Sequence, residues 1–109
     1  TGKSRRGLDR AMADSGLAGV FDMTRCADEG HSKPHPGMLQ AIIDGLATTP
    51  EQTLMIGDTT HDVQMAQAAG ASALALTHGA HGREALQSSA PLALLDDLPA
   101  LRLWLRAAA

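Results

Sequence analysis

Cysteine and aromatic residues are scarce in this sequence. Among 109 residues there is one cysteine, one tryptophan, one phenylalanine and no tyrosine. A single cysteine excludes an intrachain disulfide and a thiolate zinc cluster, so the composition favours a reducing cytoplasm. We therefore expect Cys26 to be a small buried or strand-end residue rather than a nucleophile.

The sequence also lacks an excess of positive charge and a long apolar run. Nine basic and twelve acidic residues give a formal net charge of -3, which provides no global field to attract nucleic acid or an anionic membrane. No apolar stretch approaches the ~20 residues that span a bilayer, and no leader opens the chain. We expect one small globular domain over residues 1–109. No strand or methionine precedes Thr1, so a truncated N-terminus is also expected.

Apolar spacing and breaker residues predict an alternation of helices and strands. A first helix is expected from Arg5 to Ser15, followed by a short strand at 20–23 and a rigid loop at 32–37 that contains two prolines. A second helix begins near Pro36 and carries apolar residues at i, i+1, i+4, i+5 and i+8.

The second half of the chain continues this alternation. Apolar runs at 53–56 and 73–77 are typical of strands buried on both faces of a parallel sheet, and helices are expected at 62–69 and 99–106. The predicted class is α/β, with a partial doubly wound parallel sheet. Ligands bind beyond the carboxyl ends of such strands, where Asp58, the turn at 77–79 and the loop that carries Lys33 should converge.

Asp58 and Asp62 are candidate ligands for Mg²⁺. They lie four residues apart across a strand-to-helix turn, so both carboxylates can face one cation. Mg²⁺ prefers oxygen ligands and is usually held by one or two carboxylates with several waters. The simpler alternative is that Asp58 ends a strand and Asp62 caps a helix.

Lys33, Thr1 and Gly2 are candidate ligands for an anion. Two prolines stiffen the loop after Lys33, and a lysine held in this way is a point charge suited to a phosphoryl group. Thr1 offers a hydroxyl and Gly2 an unhindered amide ahead of a helix N-terminus. A solvated lysine and a capped helix start are the alternatives.

Three segments, in this order, resemble the second, third and fourth motifs of the haloacid dehalogenase (HAD) superfamily, and of its phosphoglycolate-phosphatase-like members most closely. They are Thr1-Gly2-Lys3, Ser32-Lys33-Pro34-His35-Pro36, and the G-D-x-x-x-D element at 57–62.

The resemblance implies a Rossmann-like core and a Mg²⁺-dependent phosphatase that acts on a small phosphorylated metabolite. It implies that Thr1 and the Gly2 amide bind the phosphoryl group and that Lys33 neutralises charge on a phosphoaspartate. It also implies that Asp58 binds the metal, while Asp62 supports the metal site through water or orients Lys33. Thr59 and Thr60 would shape the turn, and Lys3 would add positive charge near the leaving group.

The first motif of the family, D-x-D-x-T on an apolar strand, is absent from these residues. It supplies the aspartate nucleophile, and the cap that selects the substrate would also lie before Thr1. We therefore expect no catalysis by this chain alone. The strand at 53–56 would have an unpaired edge, which predicts a homo-oligomer or an associated upstream fragment.

Three rival interpretations remain at this stage. Residues 2–4 could end a Walker A loop, with 54–58 as a Walker B strand, in a nucleotide triphosphatase fragment, although this leaves the Lys33 loop unexplained. The chain could also be a non-catalytic interaction module on a phosphatase scaffold. Finally, the five histidines could form a metal site, but we expect them to line the mouth of an active site instead.

Overall fold

The computed structural model describes residues 1–108. The helices and strands follow one another along the chain as α1 (Arg5–Ser15), α2 (Gly37–Gly45), β1 (Leu54–Gly57), α3 (Thr60–Ala69), β2 (Ser72–Leu76), α4 (Arg83–Ser88), β3 (Ala93–Leu95) and α5 (Leu98–Ala108). Short 3₁₀ turns at Ala27–Glu29 and Pro50–Gln52 complete the list.

The three strands form one parallel sheet in the order β1-β2-β3. Leu54 pairs with Ser72 at the start of β1, and Leu76 pairs with Leu95 at the end of β2. Parallel neighbours need a crossover, which α3 and α4 supply. The predicted α/β class with a partial parallel sheet is therefore confirmed.

The core lies between β2 and the helices that cover it. Leu74 and Ala75 of β2 and Val63 and Ala66 of α3 are fully buried. Alanine at these contacts lets the helix backbone approach the sheet closely, and leucine and valine fill the remaining volume. Helix α2 packs against α3, and its buried residues Met38, Leu39 and Ile43 belong to the same core.

Strand β1 is less buried than its apolar sequence predicts. It pairs with β2 on one side only, and its residues are half-buried except Ile56, which is 39% exposed. The prediction of a strand buried on both faces is wrong for β1 and right for β2, where Ala73 to Leu76 are buried. One edge of β1 therefore keeps free backbone donors and acceptors within the described part of the chain.

One other prediction is wrong, and two elements were not predicted. The segment 20–23 is not a strand, and Val20 and Phe21 are 62% and 54% exposed. Helix α4 and strand β3 were not predicted, because six and three residues are too few to give a clear apolar period.

The helix ends follow local capping chemistry. The Ser4 hydroxyl accepts a hydrogen bond from the Gly7 amide at the start of α1, and Gly16 ends that helix with φ of 73°. The Asp97 carboxylate accepts from the Ala100 amide in the first turn of α5. Among residues 1–108, no helix is long and apolar enough to cross a membrane.

Candidate active site

The turn between β1 and α3 builds one half of the candidate site. Thr59 is the N-cap of α3, and its hydroxyl accepts a hydrogen bond from the Asp62 amide. The Asp62 Oδ2 in turn accepts from the Thr59 amide at 3.2 Å and from the Thr59 hydroxyl at 3.0 Å. This reciprocal capping box fixes the Asp62 carboxylate at the carboxyl end of β1.

Lys33 reaches the same carboxylate from a loop 29 residues earlier in the sequence. Its Nζ lies 2.5 Å from the Asp62 Oδ1, and the side chains of Lys33 and Asp62 are 24% and 5% exposed. Burial raises the pKa of Asp62, but the hydrogen bond and charge of Lys33, together with Thr59, outweigh it and hold that pKa below its usual value. Asp62 is therefore an ionised partner of Lys33.

Both oxygens of Asp62 are thus occupied by protein donors. Of the two roles that the family resemblance implies for Asp62, this geometry suits the orientation of Lys33 better than direct contact with a metal ion. The placement of Asp62 among the metal ligands stays a prediction.

Asp58 is held differently, by the loop that follows β2. Its Oδ2 accepts a hydrogen bond from the Ala80 amide at 3.2 Å, and its backbone carbonyl accepts from the His81 amide at 3.1 Å. Within the described residues no hydrogen bond reaches its Oδ1. Asp58 is partly exposed, so one carboxylate oxygen is available to a ligand.

Two glycines make room for these carboxylates. A Cβ added at Gly57 would collide with the Asp62 carboxylate, and a Cβ at Gly79 would collide with that of Asp58. The glycine in the G-D-x-x-x-D element is thus required by close packing, because the helix cap lies directly over the end of the strand.

The carboxylate of Asp58 fits Mg²⁺ as one member of a ligand set. Carboxylate oxygen is the ligand that Mg²⁺ prefers, and this ion keeps waters when few protein ligands are present. No group of three histidine, cysteine, aspartate or glutamate side chains suited to a metal ion occurs in residues 1–108. A site here would therefore need oxygen ligands besides Asp58.

Thr1 is held near Lys33. Its hydroxyl accepts a hydrogen bond from the Lys3 amide at 3.3 Å, and its amino group donates to the Arg25 carbonyl at 3.1 Å. Desolvation, followed by the positive charge of Lys33, lowers the pKa of this amino group, as expected for two nearby cations. Gly2 is exposed, with open space around its Cα.

Two amides in the first turn of α1 are capped by side chains of the protein. The Arg5 amide donates to the Asp28 carboxylate at 3.0 Å, while Ser4 caps the Gly7 amide. These two amides are already bonded within the chain. The roles of Thr1 and Gly2 in anion binding stay predictions.

Sequence reasoning missed the contacts that hold these segments together. Arg5 donates to Glu29 at 2.7 Å and to the Thr24 hydroxyl at 2.8 Å, which ties α1 to the segment that reaches the Lys33 loop. His81 accepts from the Thr60 amide through Nδ1 at 3.0 Å. Contacts that span about 20 residues without a motif leave no signal in one sequence.

Four of the five histidines lie on loops around the site, and His61 lies in the first turn of α3. The rings of His31 and His35 stack with centroids 4.0 Å apart beside Lys33, and those of His61 and His81 meet edge to face at 5.6 Å beside Asp58. The metal-site alternative for these residues gains no third ligand within the described chain.

Comparison with known proteins gives one consistent family. The family model described as HAD-hydrolase-like matches residues 31–101. The chain is 39% identical over 83 residues to the probable phosphatase IndB of Dickeya dadantii, which covers 75% of this chain and 36% of that protein. It is 35% identical over 99 residues to the pyrophosphatase PpaX of Bacillus mycoides, which covers 90% and 46%. It is 41% identical over 80 residues to a phosphoglycolate phosphatase of Salmonella paratyphi A, which covers 70% and 32%.

A solved structure shows the same fold. A haloacid dehalogenase-like hydrolase from Bacteroides fragilis superposes with a TM-score of 0.86 at 29% identity, over 93% of this chain and 49% of that one. The chain spans between a third and a half of the length of the curated relatives it matches. Taken with the family model over residues 31–101, these matches mean that the chain belongs to the HAD-hydrolase-like family.

Proposed function

We propose that this chain is part of the catalytic core of a Mg²⁺-dependent phosphatase for a small phosphorylated metabolite. The reaction would pass through a phosphoaspartate whose aspartate lies outside these residues. The observation that carries the proposal is the contact between Lys33 and Asp62 beside Asp58, at the carboxyl end of β1. A partly buried ion pair next to a partly free carboxylate fits phosphoryl transfer, in which a positioned lysine and a metal-binding carboxylate stabilise the transferred group.

Lys33 is the proposed phosphoryl-binding cation. An ammonium group has three donors, and Asp62 accepts one of them, which leaves two for phosphoryl oxygens. Asp62 acts through Lys33 by fixing the direction of its side chain. The Thr1 hydroxyl and the Gly2 amide would add neutral donors on the same side, since Thr1 lies near Lys33.

Asp58 is the proposed protein ligand of Mg²⁺ in this chain. When bound, this ion would neutralise charge that develops on the phosphoryl oxygens. Asp58 is suited to hold it because Ala80 fixes one carboxylate oxygen and leaves the other directed to solvent or ligand. The capping box around Asp62 keeps the second carboxylate in place for Lys33.

The substrate class follows from the relatives. Two of them are named a pyrophosphatase and a phosphoglycolate phosphatase, so inorganic pyrophosphate and phosphoglycolate are the first compounds to test. We also propose that the protein works in the reducing cytoplasm, because its one thiol, Cys26, is buried and free.

The test uses the chain and the open reading frame that contains it. We expect the 109-residue chain to release no phosphate from p-nitrophenyl phosphate, because an absent nucleophile removes the covalent route altogether. We expect a product that carries D-x-D-x-T to hydrolyse phosphate esters with Mg²⁺. Lys33→Met and Asp58→Asn should each reduce its kcat/KM roughly a hundredfold or more. Arg10→Met is the control, because Arg10 is an exposed cation of α1 with no role in the proposed site.

The alternative is a non-catalytic interaction module on a phosphatase scaffold. A reading frame without D-x-D-x-T, together with no turnover, would support the module and contradict the phosphatase. Turnover by the 109-residue chain that disappears in Lys33→Ala would show that another residue replaces the aspartate.

We further propose that the free edge of β1 is covered by a second copy or by a separate upstream fragment. Ile56 is 39% exposed on a strand that pairs on one side only. An apolar parallel strand with unpaired backbone groups is a template for pairing.

A further inference from the structure

The loop after β2 contacts the Asp58 turn at three points. The Ala80 amide binds the Asp58 carboxylate, the His81 amide binds the Asp58 carbonyl, and the His81 ring binds the Thr60 amide. Gly79 packs so closely against Asp58 that no Cβ would fit there. The carboxylate that has a free oxygen is therefore positioned by residues 79–81 and not by its own strand alone.

His81 is the residue that joins the two sides of this contact. The His81 backbone amide donates a hydrogen bond to the carbonyl of Asp58, directly after β1. The Nδ1 of its ring accepts a hydrogen bond from the amide of Thr60, at the start of α3. An accepting Nδ1 places the ring proton of neutral His81 on Nε2. The Thr60 amide is one of the unpaired donors of a helix N-terminus, so the ring acts as a cap supplied from another loop.

We propose that His81 is a positioning residue for the cation site at Asp58. The inference rests on the proposed function, since it concerns the same site. Without the ring acceptor, the loop 79–81 loses its bond to Thr60 and is held only by the two backbone bonds to Asp58. The Asp58 carboxylate then samples several directions. Groups that orient a metal ligand typically change metal affinity by about ten- to a hundredfold when they are removed.

The experiment is a Mg²⁺ titration of the 109-residue chain and its variants, in which binding is measured from the NMR chemical shifts of the backbone amides. His81→Ala removes the acceptor. His81→Asn keeps an acceptor oxygen close to the position of Nδ1, while His81→Gln places its oxygen one bond further, near Nε2. His78→Asn is the matched control, because His78 is an exposed histidine three residues earlier in the same loop.

We expect His81→Ala and His81→Gln to weaken Mg²⁺ binding roughly tenfold, with faster hydrogen exchange of the Thr60 amide. His81→Asn should restore both quantities to within about threefold of the parent, because it keeps an acceptor for the Thr60 amide. His78→Asn should change neither. A role in folding alone would lower stability in all three His81 variants without the difference between Asn and Gln.

Two results would overturn the inference. If Asp58→Asn weakens Mg²⁺ binding but His81→Ala does not, the cation site stands and the role of His81 is wrong. If Asp58→Asn binds Mg²⁺ as the parent does, the proposed cation site itself is wrong, and the inference falls with it.

Discussion

Replacement of Lys33 by methionine tests the centre of the site most directly. Methionine keeps an unbranched apolar side chain of similar length but has no charge, so Asp62 loses its cation and keeps only the two hydrogen bonds from Thr59. The Asp62 side chain is 5% exposed and cannot recover the lost interaction from water. The variant therefore leaves a carboxylate buried without a counter-ion.

The cost can be bounded from the geometry. Removal of one partner of a fully buried ion pair costs about 3–5 kcal/mol. Lys33 is 24% exposed and Thr59 still donates to the carboxylate, so we expect a smaller loss of about 2–3 kcal/mol in the free energy of unfolding at pH 7. This is a large part of the ~5–15 kcal/mol typical of a whole domain.

The loss should depend on pH with a definite sign. The pKa of Asp62 in the folded parent lies below its usual value of 3.8, so its contribution to stability is present above that value. It disappears as the pH falls through the lower folded pKa. In Lys33→Met the charge and hydrogen bond of Lys33 are gone and only the Thr59 bonds still lower the pKa of Asp62. That pKa therefore rises, and the carboxyl becomes neutral at a higher pH. The difference between parent and variant should therefore shrink as the pH falls from neutral toward the lower folded pKa of Asp62 in the parent.

Urea unfolding followed by far-UV circular dichroism at pH 7 and pH 3 measures both effects. Lys3→Met is the control, since Lys3 is exposed, and we expect a change within about 0.5 kcal/mol. In a double-mutant cycle with Asp62→Asn, the second substitution should cost little once Lys33 is gone. If Lys33→Met matches Lys3→Met at pH 7, the reasoning about a buried, ionised Asp62 is refuted.

Three further predictions follow from the structure. Mg²⁺ should bind the chain weakly near Asp58, because most of its ligands would be water. Calorimetry should show a still lower affinity in Asp58→Asn, and equal affinities in parent and variant would contradict Asp58 as a Mg²⁺ ligand. Light scattering with intact mass spectrometry should show a dimer or an attached fragment across β1, and a stable monomer would refute that assembly. Cys26 is fully buried, and burial raises the pKa of its thiol, so iodoacetamide should modify it slowly at pH 7.5 compared with a urea-unfolded sample; equal rates would show that the site is open.

Local sequence signals predicted the parts of the fold that depend on neighbours in the chain. Helix α1 begins and ends at Arg5 and Ser15 as predicted, because Ser4 and Gly16 supply both caps. The segment 20–23 was predicted as a strand from its apolar residues, but a strand also needs a partner, and none of the three strands in the described sheet lies beside it. Strand β3 is the opposite case. Its three residues are too few for a clear apolar pattern, but they form a strand because β2 is there to pair with them.

In the candidate site, too, contacts between neighbours in the chain were predicted better than contacts between distant segments. The G-D-x-x-x-D spacing predicted two fixed carboxylates, and the Thr59 capping box explains one of them within a few residues. The contact of Lys33 with Asp62 was anticipated only through the family resemblance. The sheet topology predicted that the turn at 77–79 would lie near Asp58, and Gly79 does pack against it. The hydrogen bonds from the Ala80 and His81 amides were not predicted, because backbone amides carry no residue signature.

The order of the strands also bears on how the chain folds. The strands pair in the order in which they occur, so each pairing closes a loop of one helix and its turns, and the loop-closure entropy is small. The stretch from Leu54 to Leu95 can thus gain its contacts as one local unit. The Lys33 loop docks onto this unit through a contact 29 residues apart in sequence. An interaction that forms after the main folding barrier affects mainly the rate of unfolding. The Lys33–Asp62 pair would then determine how long the assembled site persists more than how quickly the sheet forms.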